Sequence, residues 1–515
     1  MLPALTALLV SVMVFACSSS GVSPPTTART DPTTAITEAP EPLATTAPAS
    51  TTELPAVPAT SDQPEPTVAP AADIGIAAEL VGRWEGVTRI VALGELPIAV
   101  AFELSGDDLL AVMDIQGGIG LELVNVSLDG RHIHFELESP FGQAVWDGEV
   151  RDGVIDGEFT QVEAQGIFRL ERAGDPEPSR FRSEEVVFTN GEIVLAGELA
   201  LPDGNGPHPA VVMISGSGDQ TRNVDVAGFA VFAALAEELA DIGIASLRYD
   251  DRGVGGSSGD GLQATIEDRA ADVAAAVDLL ISRDDIDAEH IGLVGHSEGG
   301  MVAPLAASQS DSVAFVALLA APAVPGPELL ETQLELLELA GTPPDQIEQY
   351  QAIQRLVFEA IAAGDGWDDV EVAIRALAHQ QLQELPEQSR GALGDLDEYL
   401  DVVVSQEMTG WQSPWFASTL QHDSAAAIAA LDVPVLALFG ELDTQVRAGP
   451  NASAVSAAIA ASDVPSYAIG TVQRANHLFQ VATTGSPDEY DLLRPEFAPE
   501  FLELLLGWLG DNVTK

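Results

Sequence analysis

The chain has 515 residues but contains only one cysteine, Cys17, and one lysine, Lys515, which is its last residue. A single cysteine excludes an intramolecular disulfide, an iron–sulfur cluster and a cysteine-based zinc site. Without a lysine in the body of the chain, a phosphate-loop lysine, a kinase-type lysine and a Schiff-base lysine are excluded as well. Composition alone therefore excludes several classes of covalent catalysis and metal site, and we expect neither a cofactor nor a metal.

Basic residues are scarce in general. Lys and Arg total 21 against 80 Asp and Glu, which gives a formal net charge of −59 and a pI near 4.1. A surface this acidic repels phosphate backbones and anionic lipid headgroups, so we expect no nucleic-acid partner. Hydrophobic residues make up 46% of the chain, enough to bury a sizeable core, and the length suits two or three domains. The oligomeric state is left open.

The N-terminal segment predicts export. Residues 1–17 carry no charged side chain and end in Cys17. An apolar run of about 15 residues is too short to cross a bilayer, which needs roughly 20, but it suits a signal peptide. A small residue before the cysteine resembles a bacterial lipoprotein signal, with Cys17 as the lipidated residue; a secretory signal with an incidental cysteine is the alternative. Residues 18–72 are rich in Thr, Pro, Ser and Ala and are predicted to form a disordered tether. We expect an extracytoplasmic protein, either anchored to the membrane through Cys17 or secreted.

A small β domain is predicted over residues 73–175. Apolar and polar residues alternate there over strand lengths, and Gly and Asp separate the strands. This pattern favours an antiparallel sheet or barrel. Trp84 and Trp146 are expected to fill its core, with a ligand cavity as the alternative. His132 and His134 alternate onto one face, where a solvated surface is favoured over a metal site.

The remaining residues, 180–515, change to a strand–helix alternation. The apolar runs of strand length are 209–214, 244–249, 291–294, 313–319 and 433–439. Because such continuous runs are typical of strands buried on both faces, and helical patterns separate them, the order predicts an α/β fold with a doubly wound, mostly parallel sheet.

Two stretches match the pattern Gly-x-Ser-x-Gly, which is weak evidence by itself. The stretch 255–259 follows a polar loop and leads into more loop, so Ser257 is interpreted as a loop serine. The stretch 295–299 follows a buried strand directly and leads into a helix. A strand–serine–helix turn is a nucleophile elbow, which exposes the serine hydroxyl at a helix N-terminus. Ser297 is therefore the predicted nucleophile.

The partners of such a serine follow it in the order acid, then histidine. Of the eight histidines, His477 satisfies this order, because it comes after the last predicted strand and has suitable acids upstream. The turn that follows strand 433–439 contains Glu441 and Asp443. We predict Asp443 as the acid, with Glu441 as the alternative.

An oxyanion needs two backbone N–H donors. The residue after the nucleophile, Glu298, supplies the first in this interpretation. The second is expected from the glycine-containing turn 215–218, at Ser217. No Gly-x-Gly-x-x-Gly spacing is present at this turn, so a phosphate cradle is a poor alternative.

Together these stretches carry a resemblance. The residues 180–515 resemble the α/β-hydrolase superfamily, and the two folded domains together are similar to bacterial serine esterases of the EstD type, which place a small β domain before the hydrolase. The stretches that match are Gly82–Gly86, Gly216–Gly218, Tyr249–Gly253, the Ser297 elbow, Ser413–Phe416, Gly440–Val446 and Asn476–His477. Ser215 departs from the pattern, since many relatives carry His there. The resemblance implies a helical cap at about residues 322–411, where acidic amphipathic helices replace the sheet pattern.

These observations predict an extracytoplasmic serine hydrolase that cleaves carboxylic esters of short acyl chains through a Ser297–His477–Asp443 triad and an acyl-enzyme. A serine aminopeptidase-like or thioester hydrolase on the same triad is the alternative. A catalytically silent surface-binding protein is a third hypothesis, which an intact triad disfavours.

Overall fold

The computed structural model describes two ranges of the chain. They are residues 79–172, apart from 91–93, 106–107, 116–117, 139–141, 152 and 163, and residues 181–513, apart from 340, 388–389, 391–392 and 394. The described residues fall into two compact units, one on each side of the boundary between residues 173 and 174. The predicted signal peptide, Cys17 and the predicted tether lie outside the described residues. Within the described ranges, no helix is both long and apolar enough to cross a membrane.

The first unit is an antiparallel sheet. Its strands are β1 (Gly82–Ile90), β2 (Gly94–Ser105), β3 (Asp108–Ile115), β4 (Gly118–Glu122), β5 (Val124–Asp129), β6 (His132–Leu137), β7 (Ala144–Arg151), β8 (Val154–Gln161) and β9 (Ala164–Arg172). They lie in the order β4-β3-β2-β1-β9-β8-β7-β6-β5, and neighbouring strands pair antiparallel. Buried and exposed residues alternate along β6 and β7, as the period of two predicts.

Both tryptophans of this unit belong to its core. Trp84 and Trp146 are almost fully buried. Each indole N–H has a partner, Leu80 O at 2.8 Å for Trp84 and Thr88 Oγ1 at 3.0 Å for Trp146. Phe135 stacks on Trp146 with ring centroids 5.6 Å apart. The structure therefore supports the expectation that both tryptophans fill the core, rather than the alternative of a ligand cavity.

The two histidines of β6 lie on the outer face of the sheet among carboxylates. His134 Nδ1 is 2.9 Å from Asp147 Oδ2 and its Nε2 is 3.0 Å from Glu136 Oε1, while His132 Nε2 also contacts Asp147. Within the described part of the chain, no group of three or more His, Cys, Asp or Glu side chains is arranged to hold a metal ion.

The second unit is built on an eight-stranded sheet. Its strands are β10 (Phe181–Asn190), β11 (Ile193–Pro202), β12 (His208–Ile214), β15 (Ala245–Tyr249), β16 (Ile286–His296), β17 (Phe315–Leu319), β18 (Val435–Gly440) and β19 (Tyr467–Val472). A small hairpin, β13 (Asp225–Val226) and β14 (Phe229–Ala230), lies outside this sheet. The order is β10-β11-β15-β12-β16-β17-β18-β19; β10, β11 and β15 pair antiparallel and all later pairs are parallel. This order and the parallel pairing confirm the predicted fold class.

Helices cover both faces of this sheet. They are α1 (Val231–Asp241), α2 (Ile266–Ile281), α3 (Gly299–Ser308), α10 (Ala448–Ile459) and α11 (Pro499–Asn512). The strand β12 shows why two layers are needed, since Val211 and Met213 pack in the apolar cluster with α1 and α11, while Val212 packs in the cluster with α2, α3 and α10. At the start of α2, Thr265 and Asp268 form a capping box.

Between β17 and β18 the chain inserts further helices. They are α4 (Gly326–Leu339), α5 (Pro344–Ala363), α6 (Trp367–Glu384), α7 (Leu396–Trp411), α8 (Pro414–Gln421) and α9 (Ser424–Ala429). Leu330, Leu334 and Leu337, which share one face of α4, pack into the same apolar cluster as α2 and α3. The insertion follows the sixth strand of the sheet in chain order, as the resemblance implies for a cap.

Candidate active site

Ser297 lies in a sharp turn between β16 and α3. Its φ of +54° is in the left-handed region, which a non-glycine residue adopts only under constraint. The constraint comes from the sequence on either side. A Cβ at Gly295 would lie 2.2 Å from Gly299 O, and a Cβ at Gly299 would lie 2.2 Å from Ile214 O. The two glycines of the Gly-x-Ser-x-Gly stretch are therefore needed for the strand, the turn and the helix to approach this closely, as the elbow prediction requires.

The second serine of this pattern, Ser257, has a structural role. Its Oγ donates to Asp250 O at 2.7 Å and accepts a hydrogen bond from Ala196 N at 3.0 Å. These bonds tie the loop to β11. Ser257 is thus the loop serine that the sequence predicts.

His477 and Asp443 contact each other directly. His477 Nδ1 is 2.8 Å from Asp443 Oδ2, and both side chains are almost completely buried. The other carboxylate oxygen, Asp443 Oδ1, accepts from Gln445 N and Val446 N at 2.8 Å each. Two backbone donors fix the carboxylate, which in turn orients the imidazole ring of His477 through Nδ1.

Glu441, the alternative acid, is directed elsewhere. It is exposed, and its Oε2 accepts from Arg474 N at 2.8 Å. The structure thus brings Asp443 rather than Glu441 into contact with His477.

His296 connects the elbow to the histidine loop. This residue directly precedes Ser297, and its Nε2 donates to His477 O at 2.9 Å. The two imidazole rings lie with centroids 4.8 Å apart. Burial, reinforced by the neighbouring His477, lowers the pKa of His296 to about 3. His296 is therefore neutral, which lets one ring nitrogen donate without placing a positive charge beside His477.

A pocket opens beside Ser297. Its lining residues are Ser217, Ser297, Glu298, Pro322, Leu329, Gln333, Gln445 and Val446, and the cavity between them is narrow, about 10 Å³, and partly open to solvent. Both residues predicted to supply oxyanion donors, Ser217 and Glu298, are in this set. The turn that carries Ser217 packs on the nucleophile, since a Cβ at Gly216 would lie 3.1 Å from Ser297 Cβ. The cap contributes Leu329 and Gln333 from α4.

A buried chain of charged groups lies behind the elbow. Glu298 Oε2 accepts from Trp415 Nε1 at 2.8 Å, and Glu298 Oε1 is 3.4 Å from Arg269 Nε. Arg269 Nη1 is 3.8 Å from Asp251 Oδ2, and Asp251 Oδ1 accepts from Ser215 Oγ at 2.6 Å. Burial raises the pKa of Glu298, against the opposing effects of Arg269 and Trp415, and burial raises the pKa of Asp251 to about 6. These contacts link α8, the elbow, α2 and the turn 215–218.

Sequence reasoning did not assign roles to Arg269, Trp415 or Gln333. Trp415 and Asp251 lie in stretches that carry the family resemblance. That resemblance is the sequence signal that could have pointed to these two residues. Gln333 stands on the apolar face of α4, three residues after Leu330. A polar residue on a buried helix face is a signal that could have singled it out.

The strand order, the elbow and the buried His477–Asp443 pair together define an α/β-hydrolase fold. Comparisons with known proteins agree with this fold. Residues 207–360 match the family described as serine aminopeptidase, S33. The chain is 27% identical over 297 residues to Esterase EstD of Thermotoga maritima, an alignment that covers 58% of this chain and 60% of the relative. The resemblance to α/β-hydrolases of the EstD type is thus confirmed.

Solved structures with similar chains include two esterases. The Pyrococcus furiosus esterase Pf2001 is 14% identical, with 66% of this chain and 95% of that chain covered and a TM-score of 0.40. Est1E of Butyrivibrio proteoclasticus, solved with ferulic acid bound, is 17% identical, with 64% and 100% covered and a TM-score of 0.37.

Proposed function

We propose that the protein is a serine hydrolase that cleaves carboxylic esters of short acyl chains through Ser297, His477 and Asp443. The buried His477–Asp443 pair at 2.8 Å, together with a serine held at φ +54° in an elbow, is the observation that carries the proposal. Similarity to Esterase EstD supports an ester as the bond that is cleaved.

The proposed mechanism has two halves. Ser297 Oγ attacks the ester carbonyl carbon while His477 Nε2 accepts the hydroxyl proton, and the alcohol leaves with that proton. Water then attacks the acyl-enzyme, His477 again accepts and returns a proton, and the carboxylic acid leaves. Asp443 stabilises the imidazolium that forms in each half. Backbone N–H groups of Ser217 and Glu298 stabilise the negative charge on the carbonyl oxygen.

A short acyl chain is proposed from the size and lining of the pocket. Pro322, Leu329 and Val446 give it an apolar wall, and the cap helix α4 closes one side. So narrow a space, with three apolar side chains in its wall, suits at most a few methylene groups, each of which contributes about 0.8 kcal/mol when buried.

The test is hydrolysis of 4-nitrophenyl esters from acetate to dodecanoate by the purified protein. We expect the highest kcat/KM at four carbons or fewer, and we expect Ser297→Ala to abolish turnover with an unchanged circular dichroism spectrum. Labelling by a fluorophosphonate should be lost in the same variant. Near-normal hydrolysis by a folded Ser297→Ala protein would contradict the proposal.

Amide hydrolysis is the second candidate, because the matching family is described as a serine aminopeptidase. Aminoacyl 4-nitroanilides measured beside the corresponding esters separate the two. A higher Ser297-dependent kcat/KM on the anilides would replace the esterase assignment.

We also propose that this chemistry takes place outside the cytoplasm, on a protein anchored through Cys17. The apolar, uncharged residues 1–17 support this proposal. Expression in a bacterial host with radiolabelled palmitate should label the wild-type chain and leave Cys17→Ser unlabelled. Retention of both proteins in the cytoplasmic fraction would contradict export.

A further inference from the structure

Gln333 is a polar side chain on a buried face. It lies in the cap helix α4 beside Leu330 and Leu334, and its side chain is 3% exposed. The same residue lines the pocket that contains Ser297. A glutamine in such a position needs partners for both ends of its amide, because burial removes water from its donor and its acceptor.

One end of the amide has a partner. Gln333 Nε2 donates to the backbone carbonyl of Gln445 at 3.4 Å, which sets the orientation of the amide, since the opposite orientation would face two oxygens toward each other. The carbonyl end of the amide differs in this respect. Among the described residues, none donates a hydrogen bond to Gln333 Oε1, and this oxygen is buried. The wall of the pocket that contains Ser297 thus includes a residue with a fixed, buried acceptor that no described residue satisfies.

The charge of the pocket decides which donor fits. The other side chains that line it are neutral except for Glu298, whose carboxylate is already held by Trp415 and Arg269. An ammonium group would have to be buried here without a carboxylate of its own, which is costly. A hydroxyl donates to a neutral amide oxygen without that cost.

We propose that Gln333 binds a hydroxyl group of the substrate, so that the natural substrate is an ester with a free hydroxyl near the scissile carbonyl. This inference rests on the proposed esterase function and names its substrate class. The hydroxyl belongs either to the acyl group, as in a hydroxy acid ester, or to the alcohol, as in a polyol ester. Gln333 acts by binding and positioning the substrate, while the proton transfers stay with Ser297 and His477.

The experiment compares matched pairs of esters on the purified protein. For the acyl side the pair is 4-nitrophenyl 3-hydroxybutyrate and 4-nitrophenyl butyrate; for the alcohol side it is glycerol 1-butyrate and propyl butyrate, followed in a pH-stat. We expect kcat/KM to be at least about tenfold higher for the hydroxylated member of one pair. The 4-nitrophenyl ester of 3-aminobutyrate, with an ammonium in place of the hydroxyl, should gain nothing over butyrate.

Gln333→Met should reduce this preference to near unity, because it removes the acceptor while keeping an unbranched side chain of similar length. Gln381→Met is the matched control. Gln381 is also a buried cap glutamine whose Oε1 accepts from no described group, but it is not part of the pocket that contains Ser297. Its replacement should leave the preference unchanged, and thermal melting checks that both variants fold.

The outcomes separate this inference from the function on which it rests. Ser297-dependent hydrolysis with ratios near one in both pairs would overturn the hydroxyl inference and leave the esterase intact. A preference that survives Gln333→Met in a folded protein would overturn the assignment to Gln333. Absence of Ser297-dependent hydrolysis of every ester would overturn the proposed function, and this inference with it.

Discussion

The two units of this protein bury different kinds of side chain. In the first unit, aromatic rings contact one another through the centre; they belong to Phe102, Phe135, Trp146, Phe159 and Phe168. Among its described residues, Thr88 is the single polar residue that is buried. The second unit buries many ionisable side chains, including Arg248, Asp250, Asp251, Asp272, Glu298, Asp443 and His477.

This difference indicates that the candidate active site belongs to the second unit. A buried charge costs free energy unless partners surround it. Even with partners, it adds little stability beyond what apolar packing at the same position would give. Charged groups whose environment perturbs them cluster at functional sites. In the second unit Asp443 contacts the proposed base, and Glu298 directly follows the proposed nucleophile. The core of the first unit is therefore stabilised mainly by apolar packing, whereas the second unit buries ionisable groups at its candidate site at a cost in stability.

The largest expected effect in this comparison is on turnover. Asp443→Asn should lower kcat by about 10⁴-fold, because an amide cannot stabilise the imidazolium or fix the tautomer of His477. Glu441→Gln, a charge loss of the same kind two residues away, should leave kcat within a few-fold. Steady-state hydrolysis of a 4-nitrophenyl ester measures both. Equal losses in the two variants would show that the charge of the turn matters rather than its contact with His477.

The next effect is on stability. Arg269→Met removes the positive charge between two buried carboxylates, Glu298 and Asp251, and should lower the free energy of unfolding by about 3–5 kcal/mol. Arg169→Met in the first unit breaks an exposed pair with Glu171 and should have no measurable effect. Urea denaturation followed by circular dichroism checks both. A loss for Arg269→Met no larger than that for Arg169→Met would remove the distinction between the two units.

A finer comparison uses one indole in each unit. Trp415→Phe removes the N–H that donates to the Glu298 carboxylate, and should cost about 1.5–3 kcal/mol of unfolding free energy. Trp146→Phe removes the N–H that donates to the neutral Thr88 hydroxyl, and should cost about 0.5–1.5 kcal/mol. The loss of ring area is the same in both, so urea denaturation isolates the acceptor. Equal costs would mean that the Glu298 carboxylate is protonated in the native state.

The parts of the second unit that could be predicted from sequence are those that local patterns determine. Continuous apolar runs predict β12, β15, β17 and β18 to within two or three residues, because a strand covered on both faces has no polar side to interrupt it. The elbow is local as well, since its glycines, its strand and its helix are adjacent in the chain. Asp443 and His477 followed from chain order rather than from any contact.

What could not be predicted depends on contacts between distant segments. Arg269, Glu298 and Trp415 lie far apart in sequence, and a chain with 80 acidic residues offers no means of pairing one of them with a given arginine. The apolar spacing over residues 226–240 fits a helix throughout, but α1 begins only at Val231, because the hairpin of β13 and β14 turns through Ala227 and Gly228 at positive φ. Apolar spacing does not distinguish so short a hairpin from a first helical turn.

The smallest expected effect concerns pH, and it lies in the first unit. Burial alone would lower the pKa of His134, but hydrogen bonds and charges from Asp147 and Glu136 outweigh it, so the folded pKa lies above the model-peptide value of 6.5. A raised folded pKa means that the native state binds more proton than the unfolded state. The stabilisation by His134 should therefore be complete below pH 6.5 and should disappear as pH rises through the folded pKa. The difference in unfolding free energy between wild type and His134→Gln, measured in urea from pH 5.5 to 9, should shrink across that range. A difference that stays constant would mean that His134 is neutral in the native protein and that its two carboxylate contacts add no charge-dependent stability.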